Sequence, residues 1–213
     1  MRITLFDNHD SFTWNLAHDL ERLGARVKVV REEGWSSSLW KDTDALVLSP
    51  GPGLPDEKAT LMEVLTHAME HRVPTLGVCL GMQALACQMG GRLVQLDEPL
   101  HGRVSRLLWS GDLAHVTPLG AHHVSEGLRN MEVGHYHSWV VDEANLPDAL
   151  HVNARNDAGL VMAVSHKSLP VSGVQFHPES VLTPQGRILL KGWLQEAQRC
   201  LAISASKVSL NFS

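Results

Sequence analysis

Cys79, His177 and Glu179 are the residues whose types and spacing suggest covalent chemistry. Cys79 has a glycine two positions away on each side, in Gly77-Val78-Cys79-Leu80-Gly81. This is the pattern of a sharp strand-to-helix turn that lifts a nucleophile out of a sheet. Small neighbours leave room for the unusual backbone such a turn needs. The helix start beneath it offers free N–H groups and positive potential, both favourable to a thiolate. Taken alone, the pattern also fits a buried cysteine at a strand end. His177 and Glu179 stand two apart with Pro178 between them, and proline biases the residue before it toward extended backbone. Side chains two apart on extended chain share a face. A carboxylate can then orient one imidazole nitrogen and leave the other to move a proton. Taken alone, His-Pro-Glu also fits a surface turn. The three residues each follow a buried strand, and together they spell a cysteine-histidine-glutamate triad.

The surrounding chain must position these groups. Residues 75–78 form a short apolar run that reads as a buried strand, and from Leu80 the apolar spacing becomes helical. Leu80, Ala84 and Cys87 fall on one helical stripe, Met82, Leu85 and Met89 on another, and Gly90-Gly91 ends the helix. Upstream, residues 3–6 read as a strand. Asp10 or Ser11 can cap a helix that buries Phe12, Leu16, Leu20 and Leu23 before Gly24 stops it. Strands are expected over 25–30 and 44–49, an irregular stretch over 32–40, and a helix over 57–71. Ser49-Pro50-Gly51-Pro52-Gly53-Leu54-Pro55 is a rigid loop at the carboxyl end of a strand, where open α/β sheets bind ligands. Strands alternating with helices predict a single open, mostly parallel twisted sheet with flanking helices.

The second half reads as antiparallel additions to that sheet. Shorter strands are expected over 91–97, 103–109 and 113–117, then a polar loop from Tyr136 running into a strand that ends at Val141. Further strands are expected over 149–153, 160–166 and 171–176. A closing helix over 184–201 should turn Ile188, Leu189 and Trp193 inward, leaving 202–213 as a patternless, mobile tail. Residues 1–201 thus form one domain.

The totals narrow the function classes. The chain has 213 residues, 44% of them hydrophobic, with a net charge of −5. That is enough for a sizeable core and carries no basic footprint for nucleic acid. No run reaches the ~18 apolar residues of a membrane span. The start of the chain reads as a strand rather than a signal peptide. Three cysteines, Cys79, Cys87 and Cys200, point to reduced thiols in a cytoplasm. Histidine occurs 13 times, but neither His122/His123 nor His135/His137 has helical zinc-site spacing, so no metal is expected.

With these residues on the page, the chain resembles the class I, triad-type glutamine amidotransferases. The matching segments are Asp7-Asn8-His9-Asp10-Ser11-Phe12-Thr13-Trp14-Asn15-Leu16, Ser49 to Gly53, the Cys79 turn, His101-Gly102, Tyr136-His137-Ser138 and Gly173 to Ser180. They span nearly the whole chain. The first of them and Tyr-His-Ser resemble the chorismate-using group, which comprises the amidotransferase subunits of anthranilate synthase and of aminodeoxychorismate synthase.

The resemblance implies a flavodoxin-like fold and a glutaminase subunit that passes ammonia to a chorismate-binding synthase partner. Anthranilate synthase is the first choice; aminodeoxychorismate synthase, or service to both, is the alternative. It implies Cys79 as nucleophile, His177 as acid and base, and Glu179 as its orienting carboxylate. Gly51, Pro52, Gly53 and Leu80 would build the oxyanion hole. Gln83, Ser138 and Trp139 would hold the amino acid end of L-glutamine. No cofactor is implied in this subunit, and magnesium is expected on the partner. The 7–12 loop and His101-Gly102 would face that partner. Two positions depart from the family pattern: Met82 stands where histidine is usual, and Trp139 where leucine is usual. The competing readings are an amidotransferase serving another synthetase or a free-standing glutamyl hydrolase, against which Tyr136-His137-Ser138 stands, and a non-catalytic flavodoxin-like binding subunit, against which the intact triad stands.

Overall fold

The structure, a computed structural model, describes residues 1–110, 128 and 131–210. The strand expected over 113–117 and the His122/His123 pair lie outside the described residues. In chain order the elements are β1 (Arg2–Asp7), α1 (Thr13–Arg22), β2 (Arg26–Arg31), β3 (Ala45–Leu48), α2 (Ala59–Glu70), β4 (Thr75–Val78), α3 (Leu80–Gln88), β5 (Leu93–Trp109), β6 (Glu132–Val141), β7 (Leu150–Asn156), β8 (Val161–His166), β9 (Val171–Val174) and α4 (Gly186–Leu210). Among the described residues they form one nine-stranded sheet in the order β2-β1-β3-β4-β9-β8-β7-β5-β6. The pairings from β2 to β9 are parallel. Those from β9 to β6 are antiparallel.

Strand periodicity divides the core between two faces. Ile3, Leu5, Ala45, Val47, Leu76 and Val78 pack with Leu16 and Leu20 of α1 and with Leu189, Leu190 and Trp193 of α4. Phe6, Leu46 and Leu48 pack on the other face with Leu61, Val64 and Leu65 of α2 and with Leu80, Ala84 and Leu85 of α3. Strands covered on both sides cannot alternate with polar residues, so β3 and β4 read as continuous apolar runs.

Several expectations change in detail. Helix α1 begins at Thr13, with Phe12 at its N-cap. Asp10 acts from outside: its carboxylate accepts the Phe12 N–H at 2.8 Å. Residues 91–97 and 103–109 are not two strands but the ends of one long strand, β5, which keeps pairing with β6 across register shifts at Gln95/Leu100 and His101/Arg103. Tyr136-His137-Ser138 lies inside β6, not in a loop. The stretch over 32–40 contains two 3-10 turns. Helix α4 runs on to Leu210, beyond its expected end. Its inward stripe takes in Leu190, while Ile188 is 44% exposed. Neighbours at 189, 190, 193, 194 and 197 already fill the face toward the sheet.

Candidate active site

The three carboxyl ends of β3, β4 and β9 meet at one place. At the end of β4, Cys79 has φ 52° and ψ −102° and caps α3. A non-glycine residue held there stores about 1–3 kcal/mol of strain. The adjoining glycines make the turn possible. A Cβ at Gly77 would run into the Gly81 carbonyl, and one at Gly81 would lie 2.7 Å from the Leu48 carbonyl oxygen. The Cys79 N–H donates to the Val174 carbonyl at 2.8 Å, which ties the turn to β9. The residue is only 6% exposed.

The turn after β9 carries the second and third groups. His177 Nδ1 and Glu179 Oε1 are 2.8 Å apart, both side chains almost fully buried. The His177 N–H donates to the Gly134 carbonyl at 3.1 Å. The edges of Tyr136 and Phe12 wall the imidazole, with ring centroids 5.0 and 5.6 Å away. Phe12 thus leaves the helix stripe expected of it and packs here. His177 Nε2 is buried without a hydrogen bond of ordinary geometry, and the Cys79 sulfur is near enough to act on the ring. Burial alone would lower the imidazole's pKa; hydrogen bonding and charge from Cys79 and Glu179 outweigh it and raise the pKa, to about 10. The surroundings of the ring thus favour its charged form.

The loop after β3 is held from both ends. Asn8 N–H donates to Ser49 Oγ and Asn8 Nδ2 to the Ser49 carbonyl, each at 2.9 Å. A Cβ on Gly51 would lie 2.5 Å from that of Asn8 and 3.1 Å from Leu80 Cδ2. Gly53 has φ +83°, and the next N–H, from Leu54, donates to Glu57 Oε2 at 3.0 Å. Gly51 is thus packed against Leu80 at the start of α3. The Leu80 N–H is among the first of that helix, which have no carbonyl four residues back to bond. Pro52 has no N–H, so any loop donor beside it comes from the flanking glycines.

The remaining expected residues divide. Gln83 is buried, and its Nε2 donates to the Trp139 carbonyl at 2.9 Å and to Gln175 Oε1 at 3.2 Å. This brings Gln83 and the Trp139 backbone together and leaves only the Gln83 amide oxygen for a further partner. Ser138 Oγ lies 3.4 Å from His101 Nε2, away from the triad. Met82 sits buried in the core beside α2, and a Cβ on Gly173 would lie 2.7 Å from its own.

Three residues that take part were not assigned from sequence. Gln175 donates its Nε2 N–H to Cys79 Sγ at 3.5 Å; it stood inside the quoted Gly173 to Ser180 segment, so position in the motif was the available signal. Asn8 anchors the Ser49 to Gly53 loop. Tyr136 walls His177 and places its hydroxyl 3.1 Å from Ser180 Oγ.

The site brings together a buried cysteine, an imidazole oriented by a carboxylate and the N–H groups of a helix start, groups of the kinds used in acyl transfer to a thiol. The sequence model of the family described as glutamine amidotransferase class-I matches residues 4–197. The chain belongs to that family. It is 37% identical to anthranilate synthase component 2 of Azospirillum brasilense, over 92% of this chain and 97% of that protein. It is 40% identical to aminodeoxychorismate synthase component 2 of Escherichia coli, over 90% of this chain and 98% of that protein. Among solved structures, a glutamine amidotransferase from Thermotoga maritima superposes with a TM-score of 0.74, covering 94% of this chain and 98% of that one. At 14% identity, that likeness is one of fold.

Proposed function

We propose that this chain hydrolyses L-glutamine at Cys79 and hands the ammonia to a chorismate-aminating synthase subunit. The observation that carries the reading is the buried His177–Glu179 pair set beside a cysteine on a strained strand-to-helix turn. In the first half-reaction Cys79 Sγ attacks the side-chain carboxamide carbon. The developing oxyanion is taken by the Leu80 N–H and an N–H of the Gly51-Pro52-Gly53 loop, donors worth about 3 kcal/mol each. His177 gives its proton to the departing nitrogen, ammonia leaves, and a glutamyl thioester remains. In the second half-reaction His177 takes a proton from water, the water oxygen attacks the thioester carbon, and glutamate departs as the C–S electron pair returns to sulfur. Glu179 keeps the imidazole in register throughout. Gln83 and the backbone of Ser138 and Trp139 hold the amino acid end.

The partner reading rests on the relatives' names, which assign one to anthranilate synthase and the other to aminodeoxychorismate synthase. Anthranilate is our first choice of product and aminodeoxychorismate the second. His9 and Ser11, the exposed residues of the 7–12 loop, and the bulged segment around His101-Gly102 are the surfaces we assign to the partner in a hetero-oligomer. The free thiols of Cys79, Cys87 and Cys200 support a reducing, cytoplasmic setting.

The test is ammonia release from glutamine by wild type and Cys79→Ser, each alone and with a chorismate-binding synthase subunit. Release that needs Cys79 and rises with the partner is expected, and the partner's aminated product identifies the pathway. Folded protein that releases nothing with any synthase would leave the non-catalytic binding subunit as the better reading.

A further inference from the structure

Gln175 is completely buried and lies one residue beyond β9, two before His177. Its backbone N–H donates to the Met162 carbonyl at 2.8 Å. Its side chain bridges two groups. Nε2 donates to Cys79 Sγ at 3.5 Å, while Oε1 accepts from Gln83 Nε2 at 3.2 Å. Gln83 Nε2 also donates to the Trp139 carbonyl of β6 at 2.9 Å. The result is a line of three hydrogen bonds from the β6 backbone to the sulfur.

The amide orientation follows from these partners. Turning the Gln175 amide over would set its oxygen against the sulfur and its NH2 against the NH2 of Gln83. Both bonds would be lost in a site closed to water, where an unmet donor is expensive. Glutamine cannot ionise, so its N–H stays a donor at every pH at which the protein folds.

We propose that Gln175 is a positioning residue for the nucleophile: it holds the Cys79 sulfur by its amide N–H and, through Gln83, ties that sulfur to the Trp139 carbonyl of β6. The proposal rests on the reading of Cys79 as the nucleophile. A hydrogen bond to sulfur is strong when the sulfur is a thiolate and weak when it is a thioester, because the acceptor charge has gone. Gln175 therefore favours the thiolate that starts the reaction. It also favours the thiolate that leaves when water attacks the thioester carbon and the C–S electron pair returns to sulfur. The same line links the backbone that we assign to the substrate's amino acid end with the attacking atom.

Two variants test this. Gln175→Met keeps the approximate volume and removes donor and acceptor. Gln175→Glu keeps the shape and replaces the donor with an acceptor. Ammonia release is followed in wild type and both variants with a chorismate-binding synthase subunit present, and kcat and KM for glutamine are separated. Carboxamidomethylation of Cys79 by iodoacetamide at neutral pH is timed by mass spectrometry, and folding is checked by circular dichroism. A charge-assisted bond of this kind predicts that Gln175→Met lowers kcat and the alkylation rate by about 10-fold, with KM changed less than about twofold. Gln175→Glu should lower both further, by about 100-fold. A side chain that only fills space would leave alkylation indifferent to the difference between Met and Glu. Should Gln175→Met fail to fold, Gln175→Asn, whose amide is withdrawn by one methylene, takes its place with the same expected ordering.

Unchanged kcat and alkylation, or a rise in KM alone, would overturn the proposal while Cys79-dependent ammonia release stood. Loss of Cys79 dependence in wild type would instead remove the nucleophile reading beneath it.

Discussion

In the parallel half of the sheet, β3, β4 and β9 are four-residue strands buried along their whole length, and each ends in a turn that carries part of the site. In the antiparallel half, β5 is a 17-residue strand that is exposed along most of its length and slips register twice against β6. The short strands carry the residues to which we assign the chemistry and the long ribbon contributes walls: Tyr136 against His177, and the Trp139 carbonyl against Gln83. Groups that must meet within a few tenths of an ångström sit where helices pack on both faces of the sheet. Groups that contribute backbone or ring surface sit on β6, which is largely buried but pairs with the exposed β5, and there irregular pairing is tolerated.

The two halves also differ in how histidine is used. His177 is driven toward its charged form. His135 and His137 on β6 are driven the other way, with pKa values pushed down to about 4 and about 3, chiefly by burial. They form a buried line in which Ser105 Oγ is 2.6 Å from His135 Nε2 and His135 Nδ1 is 3.2 Å from His137 Nε2. A neutral imidazole can both donate and accept, which such a line requires.

The sharpest way to break the contrast is Glu179→Gln. It preserves shape but removes the charge that steadies His177, and kcat for glutamine hydrolysis should fall about 10²-fold or more, read by ammonia release. A similar change on the ribbon should do far less.

Next is the pH dependence of unfolding by denaturant. The two β6 histidines protonate in the unfolded chain near 6.5 and resist it in the folded one until about 4 and 3. Their contribution is complete above 6.5 and is lost as the pH falls toward those values. With each pKa unit worth about 1.4 kcal/mol, a loss of a few kcal/mol is expected. His177 has the opposite sign: its contribution is complete below 6.5 and is lost as the pH rises toward about 10. His135→Gln should flatten the acid limb and leave the alkaline limb in place; two limbs that move together would erase the distinction.

Gly81→Ala probes the parallel half's packing. The new methyl group meets the Leu48 backbone and Cβ, neither of which can swing aside, so a loss of about 1–3 kcal/mol in unfolding free energy is expected. The smallest effect is expected from Trp139→Leu on the ribbon. Its carbonyl remains in place for Gln83, so KM for glutamine should change by less than about threefold in steady-state kinetics. A large rise would show that the indole itself shapes the pocket.

Much of this was legible in the chain. The strand-to-helix turn at Cys79 could be read because glycine at 77 and 81 and the switch in apolar period are local signals. The parallel alternation followed from apolar runs too short for helices separated by helical stripes. His177 and Glu179 could be paired because they stand two apart, but not for the reason expected: the chain there is not extended but a turn, closed by the Ser180 N–H on the His177 carbonyl at 3.2 Å, and the turn brings the two side chains together. Other features depend on contacts between segments far apart in the chain. Gln175 reaches Cys79 across 96 positions, and no local pattern says which polar side chain in a motif will face the sulfur. Phe12 has the spacing of a helix core residue, yet its ring went to His177 because β6 brought Tyr136 beside it. The union of the two β5 segments depended on a partner strand able to absorb register shifts. Propensity and periodicity act over a few residues and so determined the elements and the turn at Cys79; the hydrogen-bond line into the sulfur and the opposite pulls on the histidines' protons were decided only by which surfaces the folded sheet buried against one another.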